Sequence, residues 1–304
     1  MKILVAVDVS QAGKESDTAD KHFDASQLSQ LENLVGLKGA EATLLFVLEE
    51  LPSYEAILKT QADFPEDLGH AVASAAKVKL EKLAEKFKSA GAQVKVEIVH
   101  GPPAYMIEQV ARDLSANLTV VTAGNRAGDR FLIGGTSQHI IRHSPCSVLI
   151  LRQGTAPIQK VERILVAVDG SEKCLTAVTA AVEHLNLVKS DLSITICHIV
   201  TLNPLVASFT PQSFVTIMEE NLLMEGEIAL ANAKKAFSGK GYKAVEIELG
   251  HGNAAGEIIK MQDKTMANLI VIGSQGKGAV KHFLMGHVAN RIVTHASAPT
   301  VVAR

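Results

Sequence analysis

The chain repeats itself, and the repeat limits the fold more than any other feature. KILVAVD (Lys2 to Asp8) returns as RILVAVD (Arg163 to Asp169). FLIG (Phe131 to Gly134) returns as FLMG (Phe283 to Gly286), and HSPCSVLILR (His143 to Arg152) returns more loosely as HASAPTVVAR (His295 to Arg304). The first pair is offset by 161 residues and the other two by 152. The chain therefore reads as two copies of one unit, with insertions and deletions placed differently, and 304 residues suffice for two domains of ordinary size. The copies span 1–152 and 161–304. Between them QGTAPIQK (Gln153 to Lys160), with Gly, Thr and Pro and little apolar content, reads as the linker.

Each copy alternates strands and helices. In the second, Ile164 to Val168, Leu192 to Val200, Lys243 to Leu249, Asn268 to Ile272 and Pro299 to Ala303 read as strands. Ser171 is placed to cap a helix, and a long helix runs from Gln212 to Ser238, ended by Gly239 and Gly241. A shorter helix begins near Asn253. The first copy repeats the order, with strands near Ile3 to Val7, Ala42 to Leu48, Gln93 to Val99, Leu118 to Thr122 and Ser147 to Leu151. Runs apolar on both faces, alternating with helices, indicate a parallel sheet covered on both sides. Right-handed crossovers then give an α/β, doubly wound, Rossmann-like domain, twice over. Asp8 lies 36 residues before the second strand at Leu44, whereas Asp169 lies 25 before Ile194. The excess falls in the polar stretch Ser10 to Ser26, an enlarged loop.

Composition narrows the function classes. A formal net charge of −2 gives no reason to expect nucleic acid as a partner, and aromatics at 4% with no Trp argue against base-stacking platforms. The start, MKILVAVDVS, has an apolar run too short for a signal peptide or a membrane span, so a cytoplasmic location and no membrane partner are expected. Cys146, Cys174 and Cys197 are scattered with no CxxC and read as reduced core residues. His139 and His143, and His282 and His287, lack a third ligand at a suggestive spacing, so no metal site is expected. The helix from about Pro65 to Ser89, rich in Lys and Glu, reads as a solvated amphipathic face.

Ligands of open α/β sheets sit beyond the carboxyl ends of the strands. Three parts of the second copy converge there: Asp169 after the first strand, His198 and Ile199 at the end of the second, and GSQGKGAVKHFLMGHVA (Gly273 to Ala289) after the fourth. An acidic side chain, a strand-end backbone and a glycine-rich loop opening a helix are the parts of a nucleotide site, the helix start offering N–H groups and positive potential to phosphate. The competing reading is structural: Asp169 caps the helix and the glycines make tight turns. GSQGKG is neither a Walker A loop nor a dinucleotide GxGxxG, because the spacing and the strand are wrong. No general base or nucleophile–base pair is identifiable, so no catalytic residue is assigned.

The residues quoted so far resemble the universal stress proteins, in the tandem form with two such domains in one chain. Gly273, two residues, Gly276, nine residues and Gly286 match the G-x2-G-x9-G-[S/T] of the family's nucleotide-binding members. The ILVAVDGS start (Ile164 to Ser171), the Gly250 turn after the third strand and the apolar closing strand match as well. The resemblance covers nearly the whole chain and implies five parallel strands in the order 3-2-1-4-5. It implies ATP or a related adenine nucleotide, AMP and ADP included, with Mg²⁺ or Mn²⁺ as companion ion. Carried over by position, Asp169 holds the adenosine end and Ile199 meets adenine through its backbone. Gly273 and Gly276 line ribose and phosphates, and Gly286 with the N–H groups of His287 and Val288 takes the outer phosphates. His287 stands where the family has Ser or Thr, so a backbone donor is kept and a hydroxyl lost.

The first copy departs further. Its loop, GNRAGDRFLIGGT (Gly124 to Thr136), is three residues shorter, and Ala127 replaces the second glycine. Asp8, Val47, Gly124, Gly134, Gly135 and Thr136 are the corresponding positions of a degenerate site, with Arg126 and Arg130 as cations that could compensate. By the same resemblance the fifth strands are sheet edges, so the halves are expected to pair as an intramolecular pseudo-dimer, with further pairing of chains as a homodimer. The functional expectation is a stress-response protein that binds adenine nucleotide mainly in the second half and acts as a sensor or regulator on an unidentified protein partner. Two alternatives stand beside it: an interaction scaffold without nucleotide, and a weak ATPase.

Overall fold

Short runs of Val, Ile, Leu and Ala, each ended by a turn residue, form parallel strands whose two apolar faces both demand cover by helices. In the computed structural model, which describes residues 1–7, 25–49, 68–123, 133–152, 158, 160–276 and 285–304, the chain divides into two units. One is Met1–Glu32 with Leu37–Gln153, the other Asn33–Gly36 with Gly154–Arg304. The family-like loop from Lys277 to Leu284, the loop that holds Gly124, Arg126, Ala127 and Arg130, Asp8 with the polar stretch up to Asp24, His282, and the expected linker apart from Ile158 and Lys160 lie outside the described residues.

The first half of the chain runs β1 (Lys2–Ala6), α1 (Ala25–Leu34), β2 (Glu41–Leu48), α2 (Leu68–Ser89), β3 (Gln93–His100), α3 (Pro103–Asp113), β4 (Leu118–Ala123), α4 (Gly135–His143), β5 (Ser147–Arg152). Its strands pair in parallel in the order β3-β2-β1-β4-β5. The second half runs β6 (Arg163–Ala167), α5 (Glu172–His184), β7 (Ser193–Val200), α6 (Pro204–Phe209), α7 (Gln212–Phe237), β8 (Ala244–His251), α8 (Ala254–Thr265), β9 (Leu269–Gly273), α9 (His287–His295), β10 (Thr300–Ala303). Its order is β8-β7-β6-β9-β10, again all parallel. Counted from its own first strand, each half is a doubly wound sheet in the order 3-2-1-4-5.

Burial explains the composition of the central strands. Leu4 and Val5 in β1, Leu165 and Val166 in β6, and Leu269, Ile270 and Val271 in β9 are fully buried. Each large side chain so placed contributes about 1.5–3 kcal/mol of transfer free energy. Phe87 and Phe237, which close the long helices α2 and α7, are fully buried in the same way. An asparagine before the fourth strand ties each sheet together. Asn117 Oδ1 accepts from the Lys2 N–H at 2.8 Å, and Asn268 Oδ1 accepts from the Arg163 N–H at 3.0 Å.

Two details differ from the sequence reading. The short helix α6 was not foreseen. Gly250 is not a turn residue: it lies inside β8, and a Cβ there would stand 2.6 Å from Ile199 Cδ1 and 2.7 Å from Met261 Cε. Glycine is needed at 250 for close packing. The turn is made by Gly252, whose φ of +116° is open to glycine, and whose N–H donates to the Val200 carbonyl at 3.0 Å. Gly101 does the same in the first half, at φ +136° and 3.0 Å from the Leu48 carbonyl.

Candidate functional site

The pairing of β6 with β7 ends early. The Val168 N–H donates to the Cys197 carbonyl at 2.9 Å, and beyond that point β7 continues to Val200 paired with β8 alone. Successive peptide groups of a strand face opposite neighbours. The Cys197 carbonyl faces β6, and the Val200 carbonyl accepts from Gly252 on the β8 side. The N–H and C=O of Ile199 therefore face the space beyond the end of β6. His198 is held beside it, its Nδ1 2.9 Å from the Val168 carbonyl.

Asp169 lies at the floor of that space. Its Oδ1 accepts two hydrogen bonds from Ser171, at 2.8 Å from the N–H and 2.7 Å from the hydroxyl. Ser171 Oγ in turn accepts from the Cys174 N–H at 3.1 Å and is the N-cap of α5. Ser171 thus caps the helix, as its position after Asp169–Gly170 predicts, and Asp169 braces the cap through one oxygen. The other, Oδ2, is buried and makes no hydrogen bond of ordinary length among the described residues, with the Cys174 thiol beside the carboxylate. A carboxylate oxygen in that condition is costly, and any donor brought to it is favoured. Oδ2 faces Gly276, where a Cβ would come to 4.0 Å from it and meet nothing nearer among the described residues.

The third wall is the end of β9. A Cβ on Gly273 would stand 2.9 Å from Cys174 Sγ, so glycine there lets α5 settle against the strand end. Burial, with the Asp169 charge beside it, pushes the Cys174 thiol up to about 12, so it stays protonated. Burial drives Cys197 up to about 12 as well. All three cysteines are buried and unpaired.

Past Gly273 the chain is pinned where it leaves and where it returns. The Ser274 N–H donates to the Ala303 carbonyl at 3.0 Å, and the Gly286 N–H donates to the Ser274 carbonyl at 2.8 Å. Gly286 is the N-cap of α9 and supplies no side-chain acceptor. The N–H groups of His287, Val288 and Ala289 open that helix, where no intrahelical partner exists and the dipole is positive. His287 and Val288 are exposed.

Asp169, Ile199, Gly273, Gly276, Gly286, His287 and Val288, the seven positions expected in the second half, all line one cavity of about 500 Å³. Leu222 and Glu225 of α7 and Ile258 of α8 line it too. Sequence reading missed these three. Their helical spacing is legible, but which strand end a helix covers is not. Gly226, where a Cβ would come within 2.9 Å of His198 Cδ2, lets α7 approach that closely.

In the first half, Gly134 is the N-cap of α4, Gly135 and Thr136 open its first turn, and Val47 pairs with Val99 near the end of β2. Ser137 Oγ donates to the Thr122 carbonyl at 3.0 Å, tying the helix start to β4. Asp8 and Gly124 fall outside the described residues. A shallower depression of about 580 Å³, lined by Leu28, Glu32, Lys86 and Ser89, lies where α1 and α2 end, away from the carboxyl ends of the strands. The rings of His139 and His143 lie 4.4 Å apart, with His139 Nε2 3.2 Å from Glu108 Oε2. Among the described residues no three His, Cys, Asp or Glu gather as a metal requires.

The universal stress protein family model matches residues 1–152 and again residues 160–304. The chain belongs to the universal stress protein family. The family is a stress-response class. One relative, a universal stress protein of Methanocaldococcus jannaschii, is 31% identical over 144 residues, covering 47% of this chain and 82% of its own. Universal stress protein YxiE of Bacillus subtilis is 30% identical over 148 residues, covering 47% and 98%. A universal stress protein crystal structure from Archaeoglobus fulgidus matches all of this chain and 96% of its own at a TM-score of 0.62 and 18% identity. At that identity the likeness speaks for the fold alone. Among the described residues no helix is long and apolar enough to cross a membrane.

Proposed function

We propose that the second half binds ATP or a related adenine nucleotide, and that occupancy of this cavity is the signal the protein transmits. The observation that carries the reading is Asp169 Oδ2, a buried acceptor without a hydrogen-bond partner among the described residues, in a cavity whose far rim is an uncapped helix start. The residues fit such a ligand. Asp169 would accept from a ribose hydroxyl, and the Ile199 peptide groups would meet the base edge. Gly276, with open space over its Cα, would let sugar and phosphates approach. The N–H groups that open α9 would take the outer phosphates, with Mg²⁺ or Mn²⁺ arriving on the nucleotide.

His287 keeps the backbone donor of the family's Ser or Thr but not its hydroxyl; its imidazole has one N–H to offer when neutral and gains a second donor and a positive charge when protonated. ADP or AMP is therefore the competing occupant. No residue among those described is assigned as a general base, and binding with little or no turnover is the expected behaviour. Isothermal titration with ATP, ADP and AMP tests the reading on the wild type and on Asp169→Asn. The variant keeps an Oδ1 acceptor for Ser171 and replaces Oδ2 with a donor. A loss of affinity of at least about tenfold is expected; equal binding by both proteins would sink the proposal.

A further inference from the structure

The cavity leaves one large feature of the second half unexplained, the outer face of α7. Phe214, Ile217, Met224 and Ile228 are 60%, 52%, 58% and 56% exposed. With Asn221 they are spaced by three, four, three and four residues, the spacing of a coiled-coil seam. The buried residues of the same helix, Val215, Gly226, Ala229, Leu230, Ala233 and Phe237, form the opposite face. The apolar exposure continues upstream into α6, where Leu205 and Phe209 are exposed. A continuous apolar stripe of this kind marks a binding surface.

The first half supplies an internal control. Aligned on the buried Phe87 and Phe237, the positions of Asn221, Met224, Ile228 and Ala231 are held in α2 by Ala71, Ser74, Val78 and Glu81. There the outer face is interleaved with exposed Lys77, Lys82 and Glu85 and is solvated, as its composition predicts. Over the described turns the same helix of the repeat therefore shows one exposed apolar residue, Val78, among charges in one half and an apolar seam in the other.

The charge beside the seam says what it fits. From Leu202 to Ala233 the chain has four glutamates and no lysine, arginine or aspartate. Glu220 and Glu227 stand on one flank of the seam and Glu225 on the other. Two copies of α7 laid seam to seam would bring Glu220 of one copy against Glu225 or Glu227 of the other, so self-pairing is opposed. The same carboxylates repel anionic lipid and nucleic acid.

We infer that the outer face of α7 is a docking site for a basic amphipathic helix of a partner protein. The helix lays an apolar stripe along Phe214 to Ile228 and sets lysines or arginines against the flanking glutamates. The seam is about 21 Å long at 1.5 Å per residue, so a partner helix of about four turns covers it. Asn221 in mid-seam sets the register by asking for a polar group opposite. Glu225, on one flank of the seam, also lines the cavity, so the docked helix reaches the cavity's edge.

The test uses the full chain and a fluorescein-labelled peptide of about eighteen residues. The peptide carries leucines at the seam spacing, one asparagine among them, lysines on both flanks and alanine elsewhere. A twin has glutamate for every lysine. Saturable binding of the lysine peptide is expected by anisotropy, at least about tenfold tighter than the twin and weakened by salt. Met224→Lys with Ile228→Lys, both at exposed positions, should cut that binding at least about tenfold and leave the thermal unfolding midpoint in place. No saturable binding, equal binding of the two peptides, or indifference to the double variant would each overturn the proposal. So would concentration-dependent dimers in sedimentation velocity that the double variant abolishes, or wild-type binding to phosphatidylserine vesicles that the peptide does not compete, since the occupant would then be a second copy or a lipid surface.

Discussion

Gly273 and Gly276 belong to one motif but are glycine for different reasons. At 273 a Cβ would meet the buried sulfur of Cys174 at 2.9 Å, so the constraint is packing. At 276 a Cβ meets, among the described residues, only Asp169 Oδ2, at 4.0 Å, so the constraint is the open space itself. The two substitutions should therefore separate. Gly273→Ala is expected to lower unfolding free energy by about 1–3 kcal/mol in urea titrations. Combined with Cys174→Ala it should cost less than the sum of the two single changes, because the colliding atom is gone. Gly276→Val should leave the denaturation midpoint nearly unchanged and abolish nucleotide affinity, read by titration calorimetry. An equal effect of both variants on stability would show that residue 276 is packed after all. The glycine spacing is the same text for both positions, and only the neighbours distinguish them.

At the scale of elements, the start of α5 joins stability to the site. Ser171 caps the helix and also donates twice to Asp169 Oδ1. Ser171→Ala should cost about 1 kcal/mol as a lost cap. It should also weaken nucleotide binding, since the backbone donor alone then holds the Asp169 carboxylate. The other end of α5 carries a pH-dependent tie. Lys240 Nζ lies 3.0 Å and Lys189 Nζ 3.5 Å from Glu183 Oε1, and the Lys240 hydrogen bond, chiefly, holds the Glu183 carboxyl below its ordinary value of 4.5. A depressed folded value means the contribution is fully present above pH 4.5 and is lost as pH falls through the folded value. Because Glu183 is 40% exposed, solvent limits the contribution to less than about 1 kcal/mol. Glu183→Gln should therefore be slightly less stable than wild type in urea at neutral pH and indistinguishable from it well below pH 4.5. A gap that persists in acid would mean the side chain acts by packing rather than by charge.

At the scale of the whole chain, one family fold occurs twice with different endowments. In the second half, seven expected positions line one cavity. In the first, Ala127 takes the second glycine's place, the loop is shorter by three residues, and Ser137 ties the helix start to β4. Calorimetry on the full chain should give close to one nucleotide per chain, and Asp169→Asn should remove that binding without uncovering a second event. A stoichiometry near two would restore the first half as a binding site.

The strands were legible because runs such as Ile164 to Val168 carry the signal locally, and because the repeat states the pattern twice; their order came from the family resemblance. The cap at Ser171 was legible for the same reason: it needs only neighbours two and three residues away. Other features depend on distant partners and were not. GHG at 250–252 holds two glycines, and only contact with Ile199 and Met261 assigns packing to Gly250, while the positive φ assigns the turn to Gly252. The seam on α7 is visible as spacing, but α7 is apolar on both faces, and only its packing on β7 and β8 shows which face stays outside. Sequence alone determined the ten strands, most of the helices and their succession, since hydrophobic period and chain direction are local properties. Tertiary structure decided that Asp169 lies buried at the cavity and which glycine opens space there and which fills it, since those depend on atoms a hundred residues away.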